Sequence, residues 1–227
     1  MRLLLVLLCI AGSTANAQDR SEIWLAAGIK REVLKDLIAG VQTNARIRTD
    51  GKLETLFQEV SLKSEHLKWF RPSVDYRFIA SYADNGNPTY SNRFNMNADF
   101  RKKIKEVKVG FRTRYQLVIG SGSSSDSDLD QALRLKPYVE YSIPKTRFDL
   151  GFSAEFFYNP VLGEFGQRFN RVRFGLGTDI DMPGPNTISF TYYYGRKYNT
   201  GNPYTEHLIS LEYGFEWKKK KKADTAE

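Results

Sequence analysis

Two consecutive segments within residues 93–117 alternate apolar and polar side chains almost without a break, and this period of two limits what the chain can fold into. Phe94, Met96, Ala98 and Phe100 share one face of the first segment. Val107, Val109, Phe111, Thr113, Tyr115 and Leu117 share one face of the second. Successive side chains on a strand point to opposite faces, so alternation sustained this long specifies half-buried strands joined as a hairpin. Arg93, Asp99, Arg101, Arg112 and Arg114 occupy the other face.

The same pattern recurs from Glu22 onward in about eleven segments. Ile23, Leu25, Ala27 and Ile29 form an early apolar register. Phe148, Leu150, Phe152 and Phe156 form a later one, and Ile209, Leu211, Tyr213, Phe215 and Trp217 form the last. No position in the apolar registers carries a charge. The opposite face collects charges of both signs, including Arg46, Glu59, Asp75, Arg77, Arg134, Glu140, Asp149, Glu155, Arg171 and Arg173. No helix, internal repeat or second domain is legible. Connections at 102–106, 143–146 and 181–185 are short, whereas those at 83–88, 120–130, 159–167 and 198–205 are longer and rich in Gly, Asn, Ser and Pro. Short turns at one end and long loops at the other are the pattern of outer-membrane barrels.

Alternation alone does not say whether the apolar face meets a soluble core or lipid. A lipocalin-like barrel or another soluble periplasmic β-barrel binding protein is the rival reading. Three features favour lipid. Many segments run to roughly 11–14 residues, enough for a tilted membrane strand of about 9–11. Tyr82, Tyr90, Tyr141, Tyr158, Tyr194 and Trp217 gather at segment ends, where interfacial girdles belong. Large apolar side chains from about eleven strands would also crowd a barrel interior, whereas charges can pair across a narrow lumen.

The chain ends agree. Arg2, an apolar run over residues 3–10 and the Ala15-Asn16-Ala17 site read as a secretory signal peptide over residues 1–17, cleaved to leave Gln18 first. The single cysteine, Cys9, lies in that segment, so no disulfide is expected in the exported part. Of the net charge of +8, Arg2 supplies one unit and the basic tail at 218–227 supplies +3, which leaves +4 for the body. Export and the dispersal of arginines along strands exclude nucleic acid as the expected partner. No later run is long enough for a membrane helix, so a membrane protein of this sequence must be a barrel.

Glu22-Ile23-Trp24, the stretch 53–68 leading into Trp69-Phe70-Arg71, Asp75-Tyr76-Arg77-Phe78 and Asn170-Arg171-Val172-Arg173-Phe174-Gly175-Leu176 resemble a family of Gram-negative outer-membrane barrels known as a domain of unknown function, DUF 2490. The resemblance spans most of the exported chain and implies a location and a shape. It also implies outer-membrane lipids and the barrel-assembly machinery as partners. Such barrels end on the aromatic residue of the last strand, whereas here Trp217 precedes the lysine-rich tail, read as periplasmic.

The expectation is therefore an all-β, antiparallel, up-and-down transmembrane barrel of about 10–12 strands over residues 18–217. Because single-chain bacterial barrels are usually even-numbered, ten or twelve strands are expected in preference to eleven. A structural role, or a narrow or plugged porin-like pore, stands ahead of enzymatic activity. Arg93, Asp99, Arg101, Arg112, Arg114, Arg134, Glu140, Asp149, Glu155, Arg171 and Arg173 are expected to line the lumen. There they either pair with the acids or attract small anions.

Other chemistry is thinly represented. His207, with Thr205 and Glu206 beside it, is the candidate rim site for the enzymatic alternative, a lipid hydrolase, although Ser210 falls on the opposite face. His66 reads as a solvated turn residue. Asp126, Asp128 and Asp130 start like a calcium loop but lack the turn glycine and closing glutamate. Gly120-Ser121-Gly122 is not followed by the lysine of a phosphate loop. No metal or cofactor is expected.

Overall fold

A computed structural model describes residues 18–83, 86–119, 131–161 and 168–217. Residues 1–17, read from the sequence as a signal peptide, residues 120–130 with their three aspartates, and residues 218–227, read as a basic tail, lie outside the described residues. Eleven strands carry the fold: β1 (Gln18–Leu34), β2 (Leu37–Arg48), β3 (Leu53–Ser64), β4 (Phe70–Tyr82), β5 (Pro88–Ile104), β6 (Val107–Ile119), β7 (Gln131–Ser142), β8 (Phe148–Asn159), β9 (Arg168–Asp181), β10 (Asn186–Lys197) and β11 (Tyr204–Trp217). No helix occurs among the described residues.

The strands close into one barrel in sequence order. Every neighbouring pair is antiparallel except at the seam, where β1 runs parallel to β11 from Gln18↔Tyr204 to Arg31↔Trp217. A meander reverses direction at each turn, so its first and eleventh strands point the same way and can close only in parallel. This corrects the expected even count and wholly antiparallel ring. The parallel pair is slightly weaker per residue, but closure leaves no exposed sheet edge.

The outer face is the apolar one. Met96, Phe100, Val109, Phe111, Phe152 and Tyr213 are all exposed, and Val60 and Leu176 are 54% and 63% exposed. Such a continuous apolar surface is stable only against lipid. Aromatics concentrate near both rims. At the short-turn end Trp69 packs beside Phe70 and Phe100, with ring centroids 5.7 and 6.3 Å away. At the long-loop end Phe78 stacks on Tyr90 at 5.7 Å and Tyr158 meets Phe169 edge-on at 5.2 Å.

The β5–β6 turn is tighter than the sequence suggested. The strand continues to Ile104, leaving only Lys105 and Glu106 to reverse the chain, and Lys105 takes a φ of 53°. A side chain in that left-handed region costs about 1–2 kcal/mol relative to glycine. Lys105→Gly is therefore expected to stabilise the barrel by about 1 kcal/mol, seen as a higher urea midpoint in detergent. An unmoved midpoint would refute the assignment of strain.

At the opposite rim, the β2–β3 turn is held by a carboxylate. Arg48 Nη2 donates to Asp50 Oδ2 at 2.6 Å, and the Lys52 backbone N–H donates to Asp50 Oδ1 at 3.1 Å. The Arg48 hydrogen bond, followed by that from Lys52, lowers the Asp50 pKa from 3.8 to about 2. The ionised form is thus favoured in the folded turn. Its contribution is present above about pH 4 and is lost as the pH falls through the folded value of about 2. A carbon-detected NMR titration should place the Asp50 midpoint near 2, and Arg48→Ala should return it towards about 3.9.

Candidate functional site

Because the apolar residues face out, alternation turns the charged register into the lumen, where it fills the middle of the barrel. Arg93 is 2% exposed, Arg173 3%, Arg171 4%, Glu155 5% and Arg46 6%. Ions taken from water this completely need partners, and acids on other strands supply many of them. Arg134 grips Glu155 with two hydrogen bonds of 3.0 and 2.9 Å. Arg173 Nε donates to Glu206 at 2.8 Å, with Arg171 3.9 Å from the same carboxylate. Arg114 bridges Asp75 at 3.2 Å and donates to Asn97 at 2.5 Å, while Asn97 in turn donates to Asp75 at 2.8 Å. Arg77 pairs with Glu59.

Some of these contacts pass over a glycine on the strand between them. Gly195 stands in register between Arg173 and Glu206. A Cβ there would collide with the Glu206 carboxylate, so glycine is what lets the pair meet. Gly110 does the same for Tyr138, whose hydroxyl crosses it to donate to Asp99 at 2.9 Å.

Three inward aromatics weave the arginines together. Arg77 lies 4.8 Å over Phe57, and Arg46 lies 5.4 Å over Phe57 and 4.4 Å over Trp24. Arg173 lies 5.0 Å over Trp24 and 5.4 Å over Phe157, and Arg134 caps Phe157 at 4.6 Å. The chain of contacts runs from β4 through β3, β2 and β1 to β9, β8 and β7. Guanidinium groups over aromatic faces are attracted even when desolvated, by about 2 kcal/mol in favourable cases, which suits a water-poor plug. With Ile79 and Leu208, at 2% and 0% exposure, this layer separates two cavities. One, of about 430 Å³, lies towards the short turns. The other, of about 980 Å³, lies at the long-loop mouth among residues such as Arg48, Asn170 and Asn202.

The residues expected in the lumen all fall on inward registers, but not all in this layer. Arg93, Arg114, Arg134, Glu155, Arg171 and Arg173 lie within the plug or at its lower border. Asp99, Arg101, Arg112 and Glu140 line the smaller cavity. Asp149 sits lower still, in register with Asp179. The pairing also differs in detail from the expected Arg–acid set. Glu140 pairs with Lys108, Asp99 accepts from Tyr138, and the Arg171–Arg173 pair uses Glu206. Trp24, Phe57, Phe157 and Glu206 were not anticipated as lumen residues. The signal for them was in the sequence, since each interrupts or joins the polar register of its strand.

His207 lies on the outer face with Ile209. Its Nδ1 is 2.7 Å from the Tyr192 hydroxyl, and its ring meets Tyr194 edge-on at 5.5 Å. Glu206, named with it as a candidate companion, points inward to Arg173 and is 3% exposed. The acid named as its companion is thus on the inner side of the wall. His66 is a turn residue with its side chain 78% exposed, 3.5 Å from Asp36. No cluster of metal-ligating side chains occurs among the described residues.

A closed ring of eleven strands, apolar outside and charged within, is an outer-membrane-type β-barrel. The chain belongs to the family described as "Protein of unknown function (DUF2490)", whose model matches residues 21–206. Its fold is similar to that of LpxR from Salmonella typhimurium, with 12% identity, a TM-score of 0.51, and coverage of 78% of this chain and 83% of that one. A second solved chain, from work described as "Unveiling the Mechanism Behind the in-meso Crystallization of Membrane Proteins", is 14% identical over 84% of this chain and 78% of that one. Its TM-score of 0.42 is too low to bear on the fold. No curated protein matches the chain.

Proposed function

We propose that this protein is a bacterial outer-membrane barrel whose lumen is closed by its own side chains, with a structural role ahead of an open porin-like pore. The observation that carries this reading is the arginine–aromatic layer spanning the interior between the two cavities. Barrels of about this size are narrow enough for side chains to fill. The apolar outer face and the export signal read from the sequence support the location. The short-turn rim then faces the periplasm and the long-loop rim faces outward. On this reading the partners are membrane lipids and the barrel-assembly machinery, and Glu206, the acid named beside His207 for the enzymatic alternative, is engaged inside the barrel by Arg173.

The test combines two measurements on the purified full chain. The folded barrel should migrate differently before and after boiling in SDS, and should give no steady conductance in a planar bilayer. A stable open channel from the wild-type protein would overturn the plugged reading. Periplasmic fractionation without heat-modifiable migration would overturn the membrane assignment.

A further inference from the structure

We propose that one arc of the short-turn rim, formed by the β3–β4, β5–β6 and β7–β8 turns, is a binding surface for the headgroups of anionic phospholipids. The inference rests on the membrane reading of the outer face and is independent of the plug.

Charge is the first observation. Lys68, Lys102, Lys103, Lys105, Lys145 and Arg147 are all exposed on these turns and the strand ends beside them. The turns are neighbours on the rim. The Arg101 backbone N–H donates to the Trp69 carbonyl at 2.9 Å, which ties the first turn to β5, and the Ser142 N–H donates to the Glu106 carbonyl at 2.9 Å, which ties the second to β7. Among the described residues, none of the six cations forms an ion pair. The acids nearby are engaged by other groups, Glu65 by Lys63 and Arg71 and Glu140 by Lys108. Glu106 is the exposed carboxylate left in the arc. Elsewhere on the described rim the charges are closer to balance. Arg31 and Lys35 are matched by Glu32 and Asp36, and the β9–β10 turn carries Asp181 and no cation.

The second observation is where these cations sit. Lys102 belongs to the outward register, opposite Val109 and between Phe100 and Ile104, and all three of these apolar neighbours are exposed. Leu67 and Trp69, both exposed, flank Lys68, and exposed Phe148 follows Arg147. Apolar side chains on both sides of a cation place it within the membrane interface, where the lysine stem lies along apolar surface and the ammonium reaches the headgroups. An exposed tryptophan at the same level is an interfacial anchor. Basic clusters in that layer attract anionic lipid. A soluble polyanion would meet the charges but leave Leu67, Trp69 and Ile104 in water. A zwitterionic headgroup brings no net charge to offset the cations. An anionic phospholipid supplies both the charge and the acyl chains.

Tryptophan quenching in reconstituted vesicles tests the inference. The chain has three tryptophans. Trp24 lies inside the lumen under Arg46, so Trp217→Phe leaves Trp69 as the lipid-facing reporter. Full-length Trp217→Phe barrel in phosphatidylcholine vesicles is compared with brominated phosphatidylglycerol and brominated phosphatidylcholine at equal mole fraction. Phosphatidylglycerol is expected to associate with Trp69 about fivefold more strongly at low salt. The preference should fall towards unity at about 1 M salt, where screening is nearly complete. Neutralising Lys68, Lys102, Lys145 and Arg147 together to glutamine should remove it while heat-modifiable migration is retained and the basic tail is untouched. Equal quenching by the two lipids, or a preference that survives in the folded glutamine variant, would overturn the site. Saturable binding of polyglutamate to the detergent-solubilised barrel, with no preference for phosphatidylglycerol in vesicles, would assign the arc to a soluble polyanion and overturn it as well. The two readings fail separately. Absence of quenching by either brominated lipid strikes the membrane assignment, whereas equal quenching by both strikes only this proposal.

Discussion

Glu206→Ala is expected to destabilise the folded barrel by about 3–5 kcal/mol, the usual effect of removing one partner from a buried ion pair. Glu206 is 3% exposed, accepts from Arg173 at 2.8 Å and lies 3.9 Å from Arg171. Its loss leaves two desolvated guanidinium groups without their shared carboxylate, in a layer with little space for water. Chemical denaturation of the barrel in lipid bilayers, followed by tryptophan fluorescence, reads the effect directly. Glu206→Gln, which retains an acceptor for Arg173, should lose less. Gly195→Ala should resemble Glu206→Ala, because its methyl displaces the same carboxylate. Replacing both members, as in Glu206→Leu with Arg173→Met, should recover much of the loss, since an apolar pair carries no desolvation penalty. Unchanged midpoints for both Glu206→Ala and Gly195→Ala would show that the pair is not part of the barrel's stability.

The second large effect is on permeability. Truncating Trp24, Phe157 and Arg173 together to alanine removes the junction where the chain of stacked rings and guanidiniums crosses from β1 to β9 and β8. The two cavities should then merge, and a silent barrel should show discrete conductance steps. The remaining arginines would favour anions, so the reversal potential in a salt gradient should report anion selectivity. Because the triple variant is drastic, heat-modifiable migration must first show that it folds. Phe57→Ala with Arg46→Ala, which opens the same layer from β3 and β2, provides an independent route. If both variants fold and both stay silent, the arginine–aromatic layer is not what closes the lumen.

The hairpin of residues 93–117 shows how much was legible beforehand. Its alternation assigned Met96 and Phe100 to the outside and Arg93 and Arg114 to the inside, and the structure places them so. Its turn was less legible, because the sequence does not reveal that Lys105 would adopt positive φ and let β5 extend to Ile104. The periodicity marks about eleven segments, whereas single-chain bacterial barrels usually have an even number. The parallel seam between β1 and β11 resolves that conflict, and no local pattern announces it, because the two strands meet only after every other strand is in place.

The interior was the least legible part. Trp24, Phe57 and Phe157 sit in a register otherwise read as polar, and their meaning depends on which guanidinium each one meets across the lumen. Glu206 and His207 are neighbours in the sequence, yet one residue of separation on a strand turns them to opposite faces of the wall.

By itself, the sequence determined the all-β class, the approximate extent of the strands and the side of the wall occupied by the residues of the alternating registers. Those properties follow from local periodicity, which is set by the geometry of a single strand. Only the tertiary structure decided the parallel closure, the partners of the buried arginines and the division of the lumen into two cavities. Each of these depends on cross-strand register and barrel shear, which bring together side chains such as Arg173 and Glu206 from non-adjacent strands.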